Sequence, residues 1–158
     1  MKIIYYCYGG THTSVVAAAI HVGMLPANYP PEKEEFYSIP YFDRISNANI
    51  GEAQFMGIDS WGNDIYCMGW GNYKKNILGY LLSLQKDDKR FLFEQAIFVY
   101  VLPIADIFVR IGGFLSRRLG LVSIGRPLII DGIRKKYSLY SHLVEHVKSH
   151  HLRHENQL

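Results

Sequence analysis

The chain predicts an α/β fold, a three-layer sandwich with a mainly parallel sheet. Three observations carry this. Short apolar runs alternate with amphipathic helical stretches along the chain. The first apolar run ends in a glycine turn, Gly9-Gly10, that opens a helix. A later run, Gln95 to Leu102, is continuously apolar, the pattern of a parallel strand covered on both faces. At 158 residues the chain suits one domain spanning 1–158, fraying after about residue 151.

Each element follows from local chemistry. Lys2 to Cys7 is apolar, β-branched and aromatic, and reads as a buried strand. Thr13 to Val22 is helical, with Thr11 or Thr13 as N-cap and Gly23 just past the end. Met24 to Pro40 carries four prolines and an acidic cluster, so it reads as a surface loop with a short strand at Glu35 to Ile39. Asp43 to Ile50 suits a brief helix. Gln54 to Asp59 and Asp64 to Trp70 are strand-like, and Ser60-Trp61-Gly62-Asn63 between them makes an inserted β-hairpin. Tyr73 to Leu84 has a helical apolar stripe, and Gln85 to Arg90 is a charged loop. Ile104 to Leu119 is helical, with Arg110, Arg117 and Arg118 on its wet side and Gly112-Gly113 suited either to a tight helix contact or to a break. Leu121 to Ile130 reads as another strand, and Ile133 to about His151 as a final amphipathic helix.

Composition excludes several classes. With 49% hydrophobic and 20% charged residues, the chain is neither a disordered tail nor a coiled coil. The longest apolar stretch, Ala96 to Val109, is interrupted by Pro103 and Asp106, and a membrane span needs about 18 apolar residues, so no membrane role is expected. Two cysteines, Cys7 and Cys67, make no disulfide scaffold, and the short apolar start has no cleavage site. A cytoplasmic location with reduced thiols is the expectation. The net charge of +3 gives no reason to expect a nucleic-acid partner. Its distribution is uneven, however. Glu32 to Tyr66 holds seven acidic against two basic residues, and Arg110 to Arg153 holds nine basic against two acidic. Two solvated faces of opposite sign explain this simply, and a basic surface near an anionic ligand or an acidic partner is the sharper reading.

The stretch Cys7-Tyr8-Gly9-Gly10-Thr11-His12-Thr13-Ser14 is the most informative. In open α/β folds ligands bind beyond the carboxyl ends of strands. Glycines there let backbone N–H groups approach an anion, and the next helix start adds unpaired donors and partial positive charge. Gly9, Gly10, Thr11, Thr13 and Ser14 are thus the candidate ligand-binding residues, with a phosphorylated small molecule or another anion as guest. No lysine precedes Thr13 or Ser14, so this is not a Walker A loop, and no dinucleotide fingerprint is present. Cys7 sits where a helix start favours thiolate, which makes it a candidate nucleophile, although free cysteine is as often a small core residue. His12 is the candidate proton donor or acceptor. Asp59, beside the hairpin turn, is a third catalytic candidate if it faces the loop, and turn capping explains it equally well. Arg117, Arg118 and Arg126 are candidates to supply the positive charge that the loop lacks, although solvated helix and loop ends explain them more simply. His142, His146 and His150 share one helical face, but a solvated tail explains them and no metal site is expected. Nothing in the chain calls for a cofactor.

Cys7-x-x-Gly10-x-x-Thr13-Ser14 resembles the loop of the phosphocysteine-carrying B subunits of sugar phosphotransferase systems. That resemblance implies a cysteine that accepts phosphate and a loop backbone that cradles it. Low-molecular-weight tyrosine phosphatases use a similar place, but they require arginine six residues after the cysteine, where this chain has Thr13. Over nearly its whole length the chain resembles the bacterial family catalogued as domain of unknown function 3189. The opening from Ile3 to Gly23, Met56 to Tyr66, and Gly113 to Leu121 running on to Gly125-Arg126-Pro127 carry the likeness. It implies a bacterial cytosolic protein, associated mainly with spore-forming Gram-positive species. Two functions follow as expectations. One is phosphoryl transfer or phosphate-ester hydrolysis using Cys7. The other is a non-catalytic binding or regulatory protein, sporulation-associated, with a protein partner.

Overall fold

The computed structural model describes residues 1–71 and 96–155. Four strands, β1 (Lys2–Cys7), β2 (Ala53–Ile58), β3 (Asp64–Gly69) and β4 (Ala96–Tyr100), form an open sheet in the order β2-β3-β1-β4. β1 runs parallel to both β3 and β4, and β2 pairs antiparallel with β3 across the turn at 59–63. The described helices are α1 (Thr13–His21), α2 (Lys33–Ser38), α3 (Ile107–Arg118), α4 (Val122–Lys135) and α5 (Tyr137–Glu155). The fold is therefore α/β with a mainly parallel sheet.

Side chains alternate across a strand. Ile3 and Tyr5 of β1 enter one core with Ile65, Cys67 and Val99, and buried residues of all five helices join it. Ile4 and Tyr6 face the other side, with Met68, Trp70 and Phe98. There Tyr6 packs 5.0 Å from Trp70 and stacks 5.0 Å from Tyr100, ring centroid to centroid. Much of the tyrosine-rich sequence at the strands is spent on this aromatic face.

α1 is buried along its whole length, between the sheet and α5. Ala17, Ala18 and Ala19 keep its flank thin enough for that approach. It ends in a Schellman turn: Met24 N–H donates to the Ala19 carbonyl and Gly23 N–H to Ile20, with Gly23 at φ +78°. α3 and α4 touch backbone to backbone. A Cβ on Gly125 would lie 2.5 Å from the Gly112 carbonyl oxygen, and one on Gly112 would lie 2.6 Å from that of Gly125. The tight helix contact expected at Gly112-Gly113 is this seam.

Several local readings change. The strand expected at Glu35–Ile39 is the short helix α2, whose first turn is closed by Glu32 N–H donating to Glu35 Oε2. The helix expected over Asp43–Ile50 shrinks to a 3-10 turn at Asn47–Asn49. Leu121–Ile130 is not a strand but part of α4, with Pro127 inside the helix. Its apolar triplet Leu128-Ile129-Ile130 fits either structure, and burial at Gly125, Ile129, Gly132 and Ile133 follows helical spacing instead. The last helix starts at Tyr137, after a break at Lys136. β4 pairs with β1 as a parallel strand, but it lies at the edge of the described sheet with Ile97 40% exposed. The centre belongs to β1, because a continuous apolar run marks burial without marking position. The helix expected at Tyr73–Leu84 and the loop at Gln85–Arg90 lie outside the described residues.

The acidic middle and the basic C-terminal third meet each other. Arg126 pairs with Asp43, Arg134 with Glu32, and Lys33 with Asp131.

Candidate functional site

β1 delivers Cys7 to the carboxyl end of the sheet, between β3 and β4. Backbone bonds hold the loop after it against β3: Trp70 N–H donates to the Cys7 carbonyl and Gly71 N–H to Tyr8. Gly10 lies so close that a Cβ there would sit 2.2 Å from the Gly69 nitrogen, and its φ is +72°. Only glycine meets both conditions. Gly10 N–H points at Cys7 Sγ (3.2 Å), and Ser14 Oγ lies 3.1 Å from the same sulfur.

A cavity of about 730 Å³ opens beside this loop, bounded on the other side by α3 and the segment leading into it. Such crevices at strand carboxyl ends are where open parallel sheets bind ligands. Of the residues expected to form a site, Cys7, Gly9, Thr11, His12, Thr13, Arg117 and Arg118 all line it. Thr13 is 2% exposed, and its Oγ1 has no hydrogen-bond partner among the described residues. No side chain caps the N-terminus of α1 either. Buried polar atoms are ordinarily satisfied, and the Thr13 hydroxyl is one of three buried polar side-chain atoms without a partner among the described residues.

Other expected residues are placed elsewhere. Gly10 and Ser14 stand behind the loop, on the Cys7 sulfur. The Thr11 hydroxyl is committed: it donates to the Tyr41 carbonyl (3.0 Å) and accepts from Ile45 N–H (3.3 Å). Arg126 does not line the cavity; its Nε donates to Asp43 Oδ2 at 2.8 Å. Asp59 is at the wrong end of the sheet. It begins the turn that enters β3 at Asp64, and Asp64 pairs with Lys2, five residues before Cys7, about 17 Å along the strand. There it caps the turn, accepting from the Trp61 and Asn63 N–H groups, and bonds to His21. Burial raises its carboxyl, but the Asn63, Trp61 and His21 hydrogen bonds outweigh that and hold it low.

The reading of the sequence missed Asp43, and it organises the site. Residues 41–45 strap the loop to α3 and α4. Asp43 Oδ1 lies 3.0 Å from His12 Nε2, and both its oxygens accept from Ser116 Oγ at 3.0 Å. Arg117 donates to the Ile45 carbonyl. Tyr41 and Asp43 both have positive φ (66° and 54°), conformations held only because the surroundings demand them. Burial alone would raise the Asp43 carboxyl, but hydrogen bonds from His12, Arg126 and Ser116 outweigh it and hold it at about 2. Asp43 is thus ionised and accepts from His12 Nε2–H. Burial pushes the His12 ring down, with the Arg117 and Arg126 charges adding, against the opposing pull of Asp43. A neutral ring with Nε2 protonated leaves Nδ1 as a lone pair, on the side of Gly113, another lining residue. The available signal was that a functional histidine needs an orienting carboxylate. Seven acidic residues of the middle segment qualified, and only the tertiary structure selects one.

Arg110 also lines the cavity, together with the apolar Leu102, Val109 and Phe114. Both cysteines are free thiols. Cys67 is fully buried in the main core between the sheet and the helices, and burial, with Cys7 nearby, pushes its thiol up. No group of three or more metal-ligating side chains occurs among the described residues. No helix of the described residues is long and apolar enough to cross a membrane.

Fold and site together define an open, mainly parallel α/β protein with a ligand-sized cavity at its strand carboxyl ends. The chain belongs to the family described as Protein of unknown function (DUF3189), whose model matches residues 2–149. No curated protein and no solved structure matches it. The likeness to phosphocysteine subunits therefore rests on the loop residues alone.

Proposed function

We propose that the protein binds a phosphorylated small molecule at the β1–α1 loop and that Cys7 accepts its phosphoryl group. One observation carries the reading: the unpartnered, buried Thr13 hydroxyl lines the same cavity as Cys7 and the α3 arginines. The N-terminal N–H groups of α1 and the Thr13 hydroxyl hold the phosphate oxygens, and arginine charge neutralises them. Cys7 Sγ attacks phosphorus as thiolate while the ester P–O bond breaks, and the proton given up by the thiol passes through water to the leaving oxygen. Gly10 N–H and Ser14 Oγ stay on the sulfur and orient it. In the second step water attacks phosphorus, His12 Nδ1 takes the water proton, and the S–P bond breaks to return the cysteine. Asp43 holds the ring in the tautomer this needs.

The test is direct. Inorganic phosphate and vanadate raise the melting temperature of the wild type and of Cys7→Ser alike, because Cys7 is not the anion cradle. Wild type hydrolyses p-nitrophenyl phosphate with a phosphate adduct trapped on Cys7, and Cys7→Ser does neither. Absence of stabilisation by any anion overturns the binding site. Stabilisation without turnover or adduct leaves the non-catalytic binding protein, a reading that the exposed Ile107, Ile111 and Phe114 along α3 favour, since apolar surface of this kind suits a protein partner.

A further inference from the structure

We infer that the phosphate monoester taken by this site has an apolar body, an alkyl or aryl group rather than a sugar. This rests on the anion site proposed above and names the class of compound it takes. The cavity, at about 730 Å³, is far larger than a phosphate ion needs, so most of it surrounds the rest of the ligand. A polyhydroxylated body brings O–H donors, and each needs an acceptor once it leaves water. Among the described residues, no Asp, Glu, Asn, Gln or Ser side chain lines the cavity. Its arginines, Arg110, Arg117 and Arg118, donate only. The Thr11 hydroxyl already donates to Tyr41 and accepts from Ile45, and His12 Nε2 is held by Asp43. The loop carbonyls of Cys7, Tyr8, Thr11 and His12 already accept from the N–H groups of Trp70, Gly71, Asp43 and Val16. The Thr13 hydroxyl, Cys7 Sγ and His12 Nδ1 serve the phosphate itself. Apart from the phenol of Tyr8, the remaining side chains are apolar: Ile50, Leu102, Ala105, Val109 and Phe114. Such a wall stabilises hydrocarbon and leaves sugar hydroxyls unsatisfied. The apolar surface also continues out of the cavity. Phe114 is 54% exposed, and Ile107 and Ile111, at helical spacing from it, are exposed on the same face of α3. A chain longer than the cavity therefore finds apolar contact at its mouth.

The experiment is calorimetric titration of the full chain carrying Cys7→Ser, which binds esters without consuming them. The probes are inorganic phosphate, glycerol 3-phosphate, and ethyl, butyl and hexyl phosphate. Affinity rises along the alkyl series, by up to about fourfold per methylene, the value for complete burial. Glycerol 3-phosphate binds no tighter than ethyl phosphate, and inorganic phosphate displaces hexyl phosphate. Adding Phe114→Ser lowers the ratio of hexyl to ethyl affinity, a ratio that general weakening of the anion site does not change. The inference is overturned if the alkyl series is flat, if glycerol 3-phosphate matches hexyl phosphate, if inorganic phosphate fails to displace the hexyl ester, or if Phe114→Ser leaves the ratio unchanged. In each of these cases binding of inorganic phosphate leaves the parent reading standing. Failure of every anion to bind removes both.

Discussion

Asp43 shows how much one side chain decides. Its carboxylate is 2% exposed, yet it receives His12, Arg126 and Ser116 together. A buried charge of this kind is tolerable only while its partners stay in place. Asp43→Asn leaves Arg126 without its counter-charge, and we expect a loss of about 3 kcal/mol in denaturant unfolding. The acid response follows from the same residue. Its folded value is held at about 2, below the ordinary 3.8, so its contribution is present above pH 4 and fades as the pH falls from there towards 2. That contribution is about 2 kcal/mol. A melting-temperature profile of the wild type therefore has a steep acid limb in this window, and the Asp43→Asn profile lacks that component. A limb of the same height in both proteins contradicts the assignment.

Within elements, glycine does different work at different places. Gly23 closes α1 with φ +78° and has open space where a Cβ would go. Gly10 combines φ +72° with a backbone contact that leaves no room at all. Gly23→Ala thus meets only the conformational penalty, about 1 kcal/mol. Gly10→Ala must also push the loop off β3, and costs well beyond that, about 3 kcal/mol or more. It also moves Cys7 away from Gly10 N–H, so phosphate binding weakens in the surviving folded fraction. Urea unfolding and phosphate titration of the two variants side by side check the ranking. Equal losses would mean that the close approach to Gly69 contributes nothing. The same logic applies to the run from Leu121 to Ile130, which reads as a strand and contains Gly125 and Pro127. Gly125 instead admits α3, and the helix carries Pro127 in its interior.

At the scale of the molecule, the segregation of charge resolves into internal pairing. Residues of the acidic middle reach across to the basic C-terminal helices, which brings the strap onto α4 and the loop onto the strap. These pairs are unequal. Arg134–Glu32, with the Glu32 side chain 71% exposed, contributes little; Arg134→Ala changes stability by about 0.5 kcal/mol or less in urea unfolding. A loss comparable to that of Asp43→Asn would show that surface pairing, rather than the buried carboxylate, ties the segments together. The cavity also belongs to this scale. Its walls come from the loop after β1 and from α3, about a hundred residues later in the chain, and no local pattern describes such a juxtaposition.

Much was legible in the residues themselves. β1, α1, the β2–β3 pair and α3 follow from apolar periodicity and from glycine at their ends, because these signals act over a few residues. The candidate loop was legible for the same reason: glycines, hydroxyls and a cysteine meet where a strand turns into a helix. Tertiary contact decided the rest. It put β1 rather than β4 at the centre, turned an ambiguous apolar triplet into part of a packed helix, and sent Asp59 to the far end of the sheet. It also chose Asp43 from among the acidic residues as the partner of His12, and set Arg110, Arg117 and Arg118 opposite the loop. A backbone pattern reports which faces are apolar. Which buried charges meet depends on how distant segments cross, and that is settled only when they pack.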